Sequence, residues 1–313
     1  MTPEQQSSQL RVAFVGQSVY FRQCSLEQPA EGVQPTFVDF RAGAPPLPLL
    51  AKLQELDPDL VLVFRPEIIP HALFDQQRAV TVGYLTEPLP RDGGRKHRDL
   101  RQRLYWLGQV DPGNFDRVIS FDPLIAETAA NVLPVWRSLA LPVADSLFMA
   151  LRRRSEPARL LFVGRSTAHR EKLLAPVKQA YPIAHFGHGL FGTQLYGVLA
   201  AADVQLNLHN HPYPSFENRV CSAMAAGHLV ISEPLSPSHG LGAGRHYLEV
   251  DTPQSLRALV DELSGDADAY ADVQAAGRRE AENFRASLVY PQLMRDALAD
   301  VAAGPGRRAG AGS

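Results

Sequence analysis

Short apolar runs, several of them closed by glycine, alternate along this chain with longer mixed segments. LRVAFVG over 10–16 is aliphatic and β-branched and stops at Gly16, the pattern of a buried parallel strand entering a loop. TFVDF (36–40) predicts a second strand, LPLLAKLQEL (47–56) a helix, and DPDLVLVFRPE (57–67) a third strand. AVTVGYLTEP and FDRVISFDP predict two more. Strands spaced by helical or irregular segments of roughly 10–25 residues point to a parallel sheet covered by helices rather than to a sandwich. The first half therefore reads as Rossmann-like.

ARLLFVG (158–164) repeats the pattern of LRVAFVG, so the same architecture restarts. A loop and helix follow in RSTAHREKLLAPVKQAY, with Ser166 or Thr167 at the N-cap and Leu173, Leu174 and Val177 on one stripe. IAHFGHGLFG gives a strand and a glycine-rich turn, TQLYGVLAAAD a short helix, HYLEV a strand and TPQSLRALVDELSG a helix. A final helical region runs from Ala267 to about Ala303. Between about Leu133 and Pro157, prolines, small residues and the run Arg152–Arg154 mark a domain boundary, the arginines reading as a solvated linker face. The expected domains are 1–150 and 151–303, with the last helix able to cross back and brace the first domain. The tail 304–313, GPGRRAGAGS, reads as disordered.

The stretch 204–233 concentrates the candidate chemistry. VQLNL predicts a strand, His209 to Pro214 a polar loop, VCSAMAAG a short helix ended by Gly227, and LVIS another strand. Asn218 and Arg219 fall where that helix begins. Exposed N–H groups, the positive end of the helix dipole and a guanidinium there make an anion site suited to a diphosphate. His209 and His211 would share one face of a strand, but no carboxylate or cysteine accompanies them at ligand spacing, so no metal is expected. Asn210 is read instead as a polar group lining the strand end.

Composition narrows the class. The 313 residues suit about two domains, and a hydrophobic content of 45% is ample for a core in each. A net charge of −2 argues against a general nucleic-acid or membrane-surface binder, so any basic site is local. Cys24 and Cys221 lie far apart with neither zinc nor disulfide spacing, which favours a reducing cytoplasm. The N-terminus MTPEQQSSQL lacks a signal-peptide pattern, and no apolar run reaches the ~18 residues of a membrane span. Gly16 is not followed by the further glycines of a dinucleotide fingerprint, and no G-x-S-x-G elbow exists, so neither NAD, FAD nor serine hydrolase chemistry is expected.

FENRVCSAMAAGHLVISE followed by HYLEVDTPQSLRALV resembles the donor half of GT-B glycosyltransferases, and more narrowly the family that includes the spore maturation protein CgeB. The likeness spans about 159–301; the first half matches in fold only. It implies two Rossmann-like domains facing across a cleft, an acceptor domain first and a nucleotide-sugar donor domain second. FVGR places Gly164 and Arg165 in the loop that meets the donor diphosphate, with Arg170 and Lys172 just beyond. HFGHG places His185, Phe186, Gly187 and His188 in the turn that holds the nucleotide base, and the motif carries Phe216, Glu217, Asn218 and Arg219 to the phosphate side. The chain departs at Ser222, where the family has a glutamate for the ribose. A hydroxyl cannot match a carboxylate's acceptance of two ribose hydroxyls, and Glu217 is the nearby substitute.

The function expected is a metal- and cofactor-independent transfer of a sugar from a nucleotide diphosphate to a glycan, protein or small-molecule acceptor. Two other readings stay open: a degenerate binding protein, favoured by Ser222, and a nucleotide-sugar epimerase. If transfer inverts the anomeric centre, a base is required in the first domain. Glu87, following AVTVGYLT and preceding Pro88, is the candidate, and Glu67 comes second.

Overall fold

The computed structural model describes residues 9–89, 98–130, 133–187 and 190–304. Its elements in chain order are β1 (Leu10–Gly16), α1 (Ser18–Phe21), β2 (Val33–Asp39), α2 (Pro46–Leu56), β3 (Leu60–Phe64), β4 (Val80–Leu85), α3 (Arg98–Leu107), β5 (Arg117–Ser120), α4 (Pro123–Ala129) and β6 (Arg137–Ser138). There follow β7 (Leu160–Val163), α5 (Ala168–Lys178), β8 (Ile183–Phe186), α6 (Gly192–Ala201), β9 (Val204–Asn207), α7 (Arg219–Ala225), β10 (Leu229–Ser232), β11 (Leu248–Glu249), α8 (Pro253–Gly265), α9 (Ala271–Glu280) and α10 (Ala286–Ala303). The chain divides into two compact units, one holding Met1–Leu89, Arg95–Asp145 and Arg285–Ser313, the other Ser146–Phe284. The last helix thus belongs with the first unit, and the second ends at Phe284 rather than at 303. The helical region expected over 267–303 is broken at 281–285, between α9 and α10.

The first unit is a six-stranded sheet in the order β2-β1-β3-β4-β5-β6, every pairing parallel. β2 starts three residues before the expected Thr36 and takes in Pro35, which an edge strand tolerates because one side of it needs no ladder donor. Alternation sorts the strand side chains onto two faces. Ala13, Val15, Val61 and Val63 meet Leu49 and Leu53 of α2 together with Phe74 and Phe115. Phe14, Phe64 and Tyr84 point the other way, where Phe21 stacks on Phe64 at 4.9 Å and Tyr290 of α10 meets Phe14 edge-on at 4.8 Å. The Tyr290 hydroxyl donates to the carbonyl of Cys24, so the polar end of this buried ring is satisfied. Asp145 receives Ser287 N–H at 3.0 Å, and Val143 accepts from Ala286 N–H at 2.9 Å, fixing the start of α10.

The second unit is a five-stranded parallel sheet in the order β11-β10-β9-β7-β8. One face packs Phe162, Val204, Leu206 and Ile231 against Leu173 and Leu174 of α5 and Leu256 and Val260 of α8. HYLEV contributes only the two paired residues of β11. The arginine run is not a solvated face throughout: Arg153 pairs with Asp268 on the surface, but Arg154 is buried against Gln274 Oε1 at 2.8 Å, and Arg152 reaches the carbonyl of Ala202 and the Asp203 carboxylate. Asp203 also takes a bidentate pair from Arg159, at 2.8 and 2.9 Å. Burial pushes the Asp203 carboxyl up, but Arg159 and the N–H groups of Arg159 and Ser155 outweigh it and hold it well below the usual carboxylate range. Among the described residues no helix is long and apolar enough to cross a membrane.

Candidate functional site

The carboxyl ends of β7, β9 and β10 carry a connected polar group, as expected where ligands meet an open parallel sheet. At its centre lies Arg170, in the first turn of α5, with a side chain only 2% exposed. Its Nε donates to Leu208 O at 2.9 Å, Nη1 to Arg165 O at 3.0 Å and Nη2 to Glu217 Oε1 at 3.1 Å. Burial, with the nearby charge of Arg219, lowers its pKa to about 10 against the pull of Glu217. Arg170 is therefore spent on protein groups and braces the site from beneath. Glu217 turns its other oxygen to Arg219 Nη2 at 2.8 Å, and Arg219 Nη1 reaches Asn207 Oδ1 at 3.2 Å. Both guanidinium groups lie over the Phe162 ring, at 5.4 and 6.0 Å from its centre.

Gly164 is required by this packing: a Cβ there would stand 3.1 Å from Arg170 Nη1 and 3.3 Å from the Phe162 ring. The next residue, Arg165, is exposed and makes no side-chain hydrogen bond or ion pair among the described residues. Lys172 is exposed as well. α5 is capped by Thr167, whose hydroxyl accepts from Arg170 N–H; the earlier N–H groups of Ala168 and His169 lie ahead of any intrahelical acceptor. The helix expected after the polar loop is α7, only seven residues long, and the Asn218 side chain does not cap it. Gly227, at φ +79°, makes the left-handed turn after it.

A second pairing was not anticipated. Glu233 follows β10 directly, is buried, and accepts from His209 N–H at 2.6 Å while its Oε1 lies 2.7 Å from His169 Nε2. His169, Glu233 and Asn207 thus join the site. A carboxylate right after the run LVIS was the available signal, by the same criterion that singled out Glu87. His209 itself is buried, and that burial pushes its imidazole pKa down despite Glu233. Neighbouring Asn210 buries its side-chain oxygen with no hydrogen-bond partner.

The other expected residues are placed unequally. His185 donates from Nε2 to Gly164 O at 2.8 Å and tilts against Phe162, Phe186 is half-buried, Gly187 is exposed, and His188 lies outside the described residues. Phe216 is buried edge-on to His239 at 4.8 Å, a core position of the loop. Ser222 is buried and its hydroxyl turns back to Asn218 O at 3.4 Å. Glu87 belongs to the other unit. It stands two residues past β4 with a 54% exposed side chain, 3.4 Å from Arg103 Nη1.

No family model matches the chain, and no curated protein matches it in sequence. Solved structures do. HepE from Anabaena, in complex with UDP-glucose, is similar with a TM-score of 0.61 at 12% identity over 93% of this chain and 99% of that one. Sucrose-phosphate synthase from Thermosynechococcus elongatus is similar with a TM-score of 0.60 at 14% identity, covering 93% and 99%. A glycosyltransferase from Rickettsia africae gives 0.55 at 11% identity, covering 95% and 100%. At such identities the likeness concerns the fold: two parallel-sheet α/β domains of the GT-B type.

Proposed function

We propose that the protein is a glycosyltransferase that takes a sugar from a nucleotide diphosphate bound at the second sheet's carboxyl edge and passes it to an acceptor hydroxyl. The observation that carries this reading is Arg165, exposed and without a side-chain partner among the described residues, near enough with Arg219 to act on the charge of Arg170 in the first turn of α5, positive groups where the fold's ligands bind. Breaking the bond between the sugar's anomeric carbon and the diphosphate leaves negative charge on phosphate oxygens. Two guanidinium groups and free helix amides stabilise that charge where it develops, the work a divalent cation performs elsewhere. Asn210, with its unsatisfied oxygen, can accept a hydrogen bond from the donor. HepE with UDP-glucose supports a uridine donor by analogy of fold. The FENRVCSAMAAG stretch resembles the CgeB-like family, which is the narrower form of this proposal.

In an inverting transfer Glu87 serves as the base, taking the acceptor's proton as its oxygen bonds the anomeric carbon. Glu87→Gln should then lower turnover about a hundredfold with UDP affinity unchanged, and full turnover would remove Glu87 from the mechanism. The donor site is tested by thermal shift against nucleoside diphosphates and their sugars: at ~100 times its dissociation constant a ligand stabilises by roughly 2.7 kcal/mol. No shift with any of them would refute the reading. A second reading, a binding protein without turnover, is favoured by the Ser222 hydroxyl, which is turned onto its own helix instead of offering acceptors to a ribose. UDP-sugar binding without hydrolysis or transfer distinguishes it.

A further inference from the structure

The first unit carries a cavity of about 610 Å³ at the carboxyl ends of β2 and β3, lined among others by Gly43, Glu67, Ile69, His71, Trp106 and Gln109. Its size falls within the roughly 300–1,000 Å³ of small-molecule sites. It sits beside a topological switch point, because β1 is flanked by β2 and β3 and the chain reverses its winding there.

The cavity wall is built at a cost. Arg65 and Ala72, at φ +62° and +57°, bracket the segment that forms it, a left-handed conformation that non-glycine residues hold only where the surroundings fix it. Asp111 holds the far end by accepting from Ala72 N–H at 2.8 Å and Gly113 N–H at 2.7 Å. Asn114 holds the middle, bonding Pro70 O and Phe74 N–H, both at 2.9 Å. At the near end Arg65 Nε donates to Glu67 Oε1 at 2.8 Å; the Glu67 side chain is 7% exposed, and its Oε2 has no partner among the described residues. The same cavity is lined by Trp106, which is 39% exposed although apolar.

We propose that this cavity binds a pyranose ring. A sugar has one face of C–H bonds and a rim of hydroxyls; the indole supplies a flat apolar partner for the first and Glu67 an acceptor for the second. Both carboxylates already have partners, Glu67 in Arg65 and Asp111 in two backbone amides with His71 Nδ1 3.6 Å away, so the cavity suits a neutral polyhydroxylated ligand better than a cation. Only the identification of this ring as part of the acceptor rests on the transferase reading; binding itself does not.

The test is direct binding of methyl glucosides, maltose and cellobiose to the intact protein without donor, by saturation-transfer NMR and tryptophan fluorescence. Trp106 and Trp136 are the two tryptophans, so Trp136→Phe isolates the reporter. Binding that perturbs Trp106 emission, is lost at least tenfold in Trp106→Ala and weakened in Glu67→Gln, with the UDP thermal shift unchanged in Trp106→Ala, is the expected result. No sugar binding, or binding indifferent to Trp106→Ala, an exposed position whose loss leaves the fold intact, would overturn it. Sugar binding without a UDP shift would sink the donor reading and leave this site standing.

Discussion

β3 and β9 are both buried strands inside their sheets, yet they are built differently. β3 is apolar at every position, LVLVF, and its two faces meet aliphatic residues on one side and a ring cluster on the other. β9 reads VQLN: Val204 and Leu206 join the apolar face, while Gln205 and Asn207 point the other way. Gln205 donates to Leu206 O at 2.8 Å, and Asn207 donates to Ser232 Oγ at 2.8 Å while accepting from Arg219. In β3 the strand interior is packing alone, and in the first unit the buried strand hydroxyls of Thr81 and Ser120 bond to neighbouring Asp116 and Asp122. In the second, buried polar groups run from the strand itself to the candidate donor site, so stability and ligand binding depend on the same side chains.

The sharpest way to break that contrast is Arg170→Met. It leaves the Leu208 and Arg165 carbonyl oxygens short of a donor, at about 1–3 kcal/mol each, and leaves Glu217 paired with Arg219 alone. Chemical denaturation should show that loss together with loss of the UDP shift. Phe64→Leu in the first unit should cost about 1–2 kcal/mol and leave the UDP shift as it was. If both variants kept UDP binding, the two units would not differ as described.

Asp203→Asn comes next, at about 2–4 kcal/mol, because it removes the acceptor shared by Arg159, Arg152 and the Ser155 amide. Since the folded carboxyl titrates well below its ordinary value near 3.9, its stabilisation is present above that value and is lost progressively as the pH falls below it. Urea titrations between pH ~5 and ~2.5 should therefore be steep for the native chain and shallower for the variant, with no difference in slope at neutral pH. Smallest is Arg219→Ala. Losing one charge-assisted contact of about 1.5–3 kcal/mol should weaken UDP roughly ten- to a hundredfold by calorimetry. Unchanged affinity would mean that Arg219 serves only to hold Glu217 and Asn207.

Every strand but β6 was legible because short aliphatic runs at this spacing have one physical use, a buried parallel strand; β6, Arg137–Ser138, lies in the proline-rich stretch read as a domain boundary. Arg165, Glu217, Asn218 and Arg219 were legible as a region for a similar reason: polar residues after an apolar strand lie at its carboxyl end. The division of labour among them was not. Arg170 reads in sequence as one more candidate for the diphosphate beside Arg165 and Lys172, and its burial depends on Glu217, 47 residues away. His169 and Glu233 are 64 positions apart and each is unremarkable alone. Periodicity reports which face is apolar; it cannot report that a buried face has been made acceptable to a charge by acceptors from two loops.

The return of α10 sets an order of assembly during synthesis. Residues 146–284 leave the ribosome as one uninterrupted piece and hold every strand of the second sheet. The first sheet emerges earlier but waits: Tyr290 closes onto Phe14 and Cys24, the latter 266 residues upstream, only after the second unit has been made. The usual sequence, amino-terminal domain first, is thereby reversed for completion. Throughout that interval the aromatic face of Phe14, Phe64 and Tyr84 lacks its final cover, so a chain cut short before Arg285 would present to chaperones a greasy sheet beside a finished neighbour.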